Sequence, residues 1–311
     1  MRPIDHARPP SELIEALVGS LRAHAPITTT TEPTLAAAIR AALEPQGQLV
    51  RAQLVFRGCQ AQALSEAKAL ALATAVEYFH LASLLYDDLP CMDNSIERRG
   101  QPCLHRTYGE ATTILVALAL INRAYALIHG VLCDLPAGIQ VEARDCLEAA
   151  MGTTGIIGGQ ARDLGYATGV HSKREVLRIA RKKTGALFLL SIYFPALLGQ
   201  PNVNERRALR ALCLYWGLGY QVIDDLNDVL SNPVETGKTS GRDQFLTRPN
   251  LALAIGIPDA HRQLARVFNL SIRALKQLEG KARWGYLAEF HHTYFEAAAR
   301  RKGLFGARSA A

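Results

Sequence analysis

NERRALRALCLYWGLGYQVIDDLNDVL, residues 204–230, carries apolar residues at helical spacing along its whole length and reads as one long helix. Near its end Asp224, Asp225 and Asp228 fall at i, i+1, i+4, so Asp224 and Asp228 lie one above the other on a single face. The same periodicity recurs over Ser65–Leu85, Glu110–Val131 and Val170–Leu198, whereas period-two alternation bounded by hairpin turns is scarce. An all-α bundle follows. The 311 residues contain no Pro/Gly/Ser linker, low-complexity tract or repeat that would divide them, so residues 1–311 are expected to form a single domain.

A second acidic cluster, Asp87-Asp88-Leu89-Pro90-Cys91-Met92-Asp93, also closes a long apolar run. Burying anions without a cation is costly. Carboxylates one helical turn apart repel by a few tenths of a kcal/mol, and a divalent ion reverses the sign of that interaction. Pro90 cannot continue a regular helix interior, so Asp93 is expected at a helix end or in a loop. Hard oxygen donors suit magnesium, which keeps several waters and completes its octahedron with phosphate oxygens. In a bundle, Asp87 and Asp224 are expected near the ends of two facing helices, as core metal sites require. A solvated helix end is the plainer reading of either cluster alone, but each cluster has cations nearby.

Those cations are Arg98-Arg99-Gly100, Lys182-Lys183-Thr184-Gly185, and Gly237-Lys238 with Arg242 and Arg248. Arginine forks match phosphate geometry and lysine acts as a compact point charge. Carboxylates, magnesium and fixed Arg/Lys describe a diphosphate site. A nucleotide is disfavoured, because neither Gly-x-x-x-x-Gly-Lys-Ser/Thr nor a helix-opening Gly-x-Gly-x-x-Gly occurs. The net charge of +7 comes without a dense basic stripe interleaved with aromatics, so anionic substrates explain it better than nucleic acid. No apolar run of membrane-spanning length is expected, since even Ile114–Ile121 is followed by Asn122 and Arg123. The N-terminal stretch lacks an apolar signal core, which leads to an expectation of a cytoplasmic protein. The six cysteines form no Cys-x-x-Cys pair and are expected as reduced thiols packed like small apolar residues.

From roughly Gln46 to Arg248 the chain resembles the short-chain trans-isoprenyl diphosphate synthases, the farnesyl and geranylgeranyl diphosphate synthases. DDLPCMDN followed by RRG resembles the first aspartate-rich motif of that family in its longer form. Gly158-Gly159-Gln160-Ala161-Arg162-Asp163-Leu164 resembles its Gly-Gln-x-x-Asp-Leu, and Lys183-Thr184-Gly185 its Lys-Thr-Gly. Tyr220-Gln221-Val222-Ile223-Asp224-Asp225 resembles the second motif with its preceding Gln, and Gly237-Lys238 the Gly-Lys downstream. The resemblance implies an isoprenoid synthase fold with a central active-site cavity, a homodimer, and a magnesium-dependent prenyl transfer. In that reaction an allylic diphosphate ionises, the double bond of isopentenyl diphosphate attacks the allylic cation, and a proton is lost.

Residue roles implied by the resemblance follow the matched motifs. Asp87, Asp93 and Asp224 would ligate metal, with Asp88 and Asp228 supporting them or acting through water. Arg98, Lys183, Lys238 and Arg248 would hold the allylic diphosphate, and Thr184 and Gln221 would flank the reacting centre. Arg51, His80 and Arg99 would hold isopentenyl diphosphate; the plainer reading of His80 is a satisfied core histidine. The chain also departs from the pattern. Where Gly-Gly-Lys-Arg-x-Arg-Pro is usual it has Gln46-Gly47-Gln48-Leu49-Val50-Arg51-Ala52, so the lysine that would touch isopentenyl diphosphate is Gln48. Tyr86, Ser95-Ile96 and Arg248-Pro249-Asn250 are further departures. A weakened isopentenyl diphosphate site keeps open a terpene cyclase or lyase on the same fold, and a non-catalytic partner subunit is a third reading. Product length is expected to depend on the helix before Asp87. Ala82 and Ser83 leave the first floor open and Phe79 and Tyr78 close the next, which favours geranylgeranyl over farnesyl diphosphate; the plainer reading of Phe79 is core filling.

Overall fold

A computed structural model describes residues 10–44, 47–169, 172–230 and 246–296. The chain divides into two compact units, Met1–Leu135 and Pro136–Ala311. Both are helical, and among the described residues the only strands are the two-residue pair Glu97–Arg98 and Gln101–Pro102.

The first unit holds α1 (Pro10–Ala23), α2 (Pro33–Leu43), α3 (Val50–Ala61), α4 (Glu66–Asp87), α5 (Leu104–Tyr108) and α6 (Glu110–Leu132). Local chemistry sets the helix starts. Glu32 accepts from the amides of Thr34 and Leu35 at 3.0 and 2.7 Å while Pro33 takes the first turn of α2, where no amide is needed. Ser65 accepts from the Lys68 amide at the head of α4. α4 packs on both α3 and α6, and Ala69, Leu72, Ala73, Ala75, Val76, Tyr78 and Phe79 are all fully buried on it. A helix apolar on nearly every side is what a core position requires.

By length and composition alone, Glu66–Asp87 and Glu110–Leu132 are both long and apolar enough to cross a membrane, although isolated charges break up each apolar run. The apolar stretch of α4 is mostly buried inside the protein, as befits a core helix, whereas that of α6 is mostly not.

Arg99 (φ 54°) and Gly100 (φ 74°) form the two-residue loop between the short strands, with Arg98 paired to Gln101. Positive φ at both loop positions is the type I′ requirement, which glycine meets freely and arginine meets at a cost.

The second unit holds α7 (Ala137–Met151), α8 (Ile156–Leu164), α9 (Lys173–Phe188), α10 (Phe194–Leu197) and α11 (Val203–Leu230), followed by Leu251–Ile255, Ile257–Lys276 and Gly285–Phe290. The helix expected over Val170–Leu198 has its first two residues outside the described ones and is interrupted by a π turn, Leu189–Tyr193. Pro195 is the physical reason: its ring would collide with the carbonyl four residues back in a regular helix, and widening the preceding turn relieves that. α11 opens with a reciprocal cap, in which Asn202 Oδ1 accepts from the Glu205 amide at 3.0 Å and Glu205 Oε2 accepts from the Asn202 amide at 2.8 Å. α11 then packs on α9 and on Ile257–Lys276. The α9–α11 crossing is close because Gly217 faces Gly185: a Cβ at Gly217 would lie 2.8 Å from the Gly185 Cα.

Candidate active site

In the first unit the candidate site is built around the C-terminal turns of α4. Asp87 is the last helical residue and Asp88 caps the helix, its amide donating to the Leu84 carbonyl. The following loop folds back on itself. The amides of Asp93 and Ser95 donate to the carbonyls of Asp87 and Asp88 at 3.0 and 3.1 Å, which returns Asp93 to the helix end beside Asp87. Both side chains are half-buried, whereas Asp88 is 3% exposed. Arg98 donates to Asp88 through Nε and Nη2, each at 2.7 Å, a bidentate grip that occupies both carboxylate oxygens.

Further arginines gather along these turns. Arg51, on α3, is buried and its Nη1 lies 3.3 Å from His80 Nε2. Burial, followed by the charges of Arg51, Arg99 and Arg98, pulls the His80 imidazole well below its ordinary range. His80 is therefore neutral. Arginine only donates, so Nε2 is the acceptor and the ring proton sits on Nδ1. Arg99 passes over the backbone at Gly47, where a Cβ would meet its Cζ at 3.0 Å. Gln48 is exposed, and its carbonyl accepts from Gln53 Nε2 at 2.7 Å. The turn is held further by Leu49 in the left-handed region, φ 49°, at the head of α3.

In the second unit α8, α9 and α11 present the remaining candidates. A Cβ at Gly159 would lie 2.5 Å from the Lys183 amide nitrogen, so glycine lets α8 reach α9 at the Lys-Thr-Gly stretch. Lys183 Nζ donates to Asp163 Oδ2 at 2.6 Å. One turn of chemistry away, Thr184 Oγ1 donates to Gln221 Oε1 at 2.6 Å, and Gln221 Nε2 donates to Asp225 Oδ1 at 2.8 Å. Asp224 is exposed and Asp228 half-buried, while Asp225 is 1% exposed. Arg248 is half-buried, two residues before Asn250, which caps Leu251–Ile255. Gly237, Lys238 and Arg242 lie outside the described residues.

Each cluster supplies carboxylates of the kind magnesium prefers. Among the described residues no three His, Cys, Asp or Glu side chains converge into a ready-made metal cage. That donor set fits an ion that takes the rest of its shell from water and phosphate.

Two supporting residues, Glu77 and Gln53, escaped the sequence reading, and a third, Asp163, stood in its Gly-Gln-x-x-Asp-Leu motif without a role. Glu77 is 2% exposed; burial pushes its carboxyl up, against the opposing pull of Arg51, Arg99 and the Ala52 amide. An acid inside an apolar helical run was the available signal for Glu77, while the partners of Gln53 and Asp163 appear only on folding.

Paired carboxylates and fixed arginines at one helix end, on an all-α frame, are the parts of a metal-assisted diphosphate-binding enzyme. The Polyprenyl synthetase family model matches residues 32–280, and the chain belongs to that family. It is 34% identical over 244 residues to the chloroplastic geranylgeranyl pyrophosphate synthase of Capsicum annuum, covering 78% of this chain and 65% of that one. It is 30% identical over 238 residues to the farnesyl diphosphate synthase of Geobacillus stearothermophilus, covering 76% and 80%. The geranyltransferase of Helicobacter pylori, solved with magnesium and isoprenyl diphosphate, superposes with a TM-score of 0.81 at 25% identity, covering 94% of this chain and 99% of that one.

Proposed function

We propose that the protein is a magnesium-dependent short-chain prenyltransferase that joins isopentenyl diphosphate to an allylic diphosphate, giving geranylgeranyl diphosphate in preference to farnesyl diphosphate. The observation that carries this reading is the crowding of Arg51, Arg98 and Arg99 around the last turns of α4, which end in Asp87 with Asp93 folded back beside it. Fixed cations beside paired carboxylates suit a diphosphate and its metal, and the charge that builds up on a departing diphosphate is stabilised by preorganised donors. One family model running through residues 32–280 supports reading the chain as a single isoprenoid synthase domain to which both acidic clusters contribute.

In this reading Asp87, Asp93 and Asp224 hold magnesium, with Asp228 assisting. Arg98, Lys183, Lys238 and Arg248 receive the allylic diphosphate, and Thr184 and Gln221 flank the reacting centre. Arg51, His80 and Arg99 receive isopentenyl diphosphate. Asp88 acts by fixing Arg98. Phe79, rather than Tyr78, closes the prenyl channel beyond Ala82 and Ser83, because the Tyr78 hydroxyl donates to the Leu21 carbonyl of α1 at 2.6 Å. The outer face of α6 exposes Leu115 (53%) and Leu118 (51%), which supports a homodimer.

The test is to incubate the purified protein and magnesium with geranyl or farnesyl diphosphate, with and without isopentenyl diphosphate, and to identify products by mass. A longer diphosphate formed only with isopentenyl diphosphate and magnesium is expected. A hydrocarbon or alcohol released without isopentenyl diphosphate would replace this reading with cyclisation or hydrolysis.

A further inference from the structure

Asp225 stands between two candidate metal ligands in sequence, yet its side chain is turned inward and is 1% exposed. Its Oδ1 accepts from Gln221 Nε2 at 2.8 Å and its Oδ2 accepts from the Leu251 amide at 2.7 Å. Its backbone carbonyl accepts from Asn250 Nδ2 at 3.1 Å. The carboxylate thus ties α11 to the head of Leu251–Ile255, the helix that follows Arg248, and at the same time holds the side-chain amide of Gln221.

The direction of every bond in this chain is forced. A backbone amide only donates and an ionised carboxylate only accepts, so Gln221 must turn its NH2 to Asp225 and its oxygen to Thr184, whose hydroxyl then donates. With no acceptor at position 225, none of the bonds formed among the described residues would keep the amide from turning over and aiming its NH2 at Thr184.

We infer that Asp225 is a positioning residue: it fixes the Gln221 amide, and through it the Thr184 hydroxyl, with oxygen facing Thr184, and it takes no part in metal binding. This deepens the proposed function and rests on it, because Gln221 and Thr184 are placed there beside a centre that becomes positively charged. An amide oxygen held in place stabilises positive charge; an NH2 in its place opposes it.

The test uses an isosteric reversal. In Asp225→Asn the side chain must give its oxygen to the Leu251 amide, which cannot turn, and its NH2 to Gln221, so the Gln221 amide flips. Pairing Asp225→Asn with Gln221→Glu again places an acceptor opposite both Thr184 and the new NH2. The single variant is expected to lower kcat on the order of 10- to 100-fold. Its half-saturating magnesium concentration and the hydrogen-exchange protection of 251–255 should match wild type, and the double variant should recover most of the loss. A raised magnesium requirement with kcat restored at high magnesium would make Asp225 a metal ligand and overturn the inference. Unchanged kcat, or a loss that follows deprotection of 251–255 and is not recovered in the double variant, would overturn it too. Failure of the wild-type protein to extend an allylic diphosphate would sink the proposed function itself, an outcome distinct from an active wild type with an indifferent Asp225→Asn.

Discussion

Arg98 holds Asp88 through two hydrogen bonds of 2.7 Å, with the Asp88 side chain 4% and the Arg98 side chain 25% exposed. The same two residues bracket the loop that carries Asp93, so the pair closes that loop as well as aiming a guanidinium. Both strands of the short hairpin depend on it, since Arg98 is also the residue paired to Gln101.

Removing the acid should therefore cost stability and activity together. Asp88→Ala leaves a mostly buried guanidinium without its bidentate acceptor and is expected to destabilise the fold by about 1–3 kcal/mol. Asp88→Asn keeps the shape and one acceptor and should cost less. Urea titration of both variants checks the order, and the reverse order would mean that the contact is packing and not charge.

Acid should weaken the second unit in two separable windows. Glu205 is 2% exposed; burial pushes its carboxyl up, but bonds from Arg283, Trp284, the Asn202 amide and Lys281 outweigh that and hold it at about 2, against 4.5 ordinarily. Its contribution is complete above the ordinary carboxyl value and is lost as pH falls from there towards about 2. His291 lies between Trp216 and Phe268, and burial lowers its imidazole from 6.5 to about 4. The unfolded chain takes up that proton first, so stability falls as pH drops from 6.5 to about 4. Thermal midpoints across pH should lose the upper slope in His291→Phe and the lower slope in Glu205→Gln. Unchanged slopes in both variants would assign the acid sensitivity to other groups.

These cases also mark how far the residues could be read before folding. Asn204–Leu230 and Ser65–Leu85 were legible as helices because one apolar stripe fixes a period, and Val203–Leu230 and Glu66–Asp87 agree within two residues. The Asp224/Asp228 spacing fixed a shared helix face, but it could not say that Asp225 turns inward. That depends on Asn250 and Leu251, which are distant in sequence, and on the Gly217–Gly185 crossing that sets the rotation of α11. The π turn before Pro195 and the left-handed Arg99 are likewise tertiary outcomes, opposed by local preference and paid for by packing.

Restoring the usual lysine at Gln48 tests the isopentenyl diphosphate side of the site. Gln48 is exposed and its backbone is already held by Gln53, so Gln48→Lys changes a charge without disturbing the turn. A new charge-assisted hydrogen bond contributes about 1.5–3 kcal/mol, which corresponds to a KM for isopentenyl diphosphate lower by roughly 10- to 100-fold. KM for the allylic substrate should stay within experimental error. A KM for isopentenyl diphosphate that does not move would mean that Gln48 does not face this substrate.

Two adjacent aromatic residues of α4 should give opposite phenotypes when truncated, because they answer to different neighbours. Tyr78 donates its hydroxyl to Leu21 of α1 and is fully buried, so Tyr78→Ala removes both a large core ring and a hydrogen bond. It should destabilise by about 3–5 kcal/mol and leave product length alone. Phe79 meets Tyr125 of α6 edge-on, ring centroids 5.1 Å apart at 73°, so the two rings brace one another across the α4–α6 contact. If that pair ends the prenyl channel, Phe79→Ala opens about one further helical turn, about 5.4 Å, which is close to one isoprene unit. The product distribution from farnesyl diphosphate, separated by chain length after removal of the diphosphate, should shift upward by one unit. Tyr125→Ala should produce a smaller shift in the same direction, since it removes the brace and leaves the wall. An unchanged distribution in Phe79→Ala, with the fold intact by circular dichroism, would assign Phe79 to core packing and place the end of the channel on another helix.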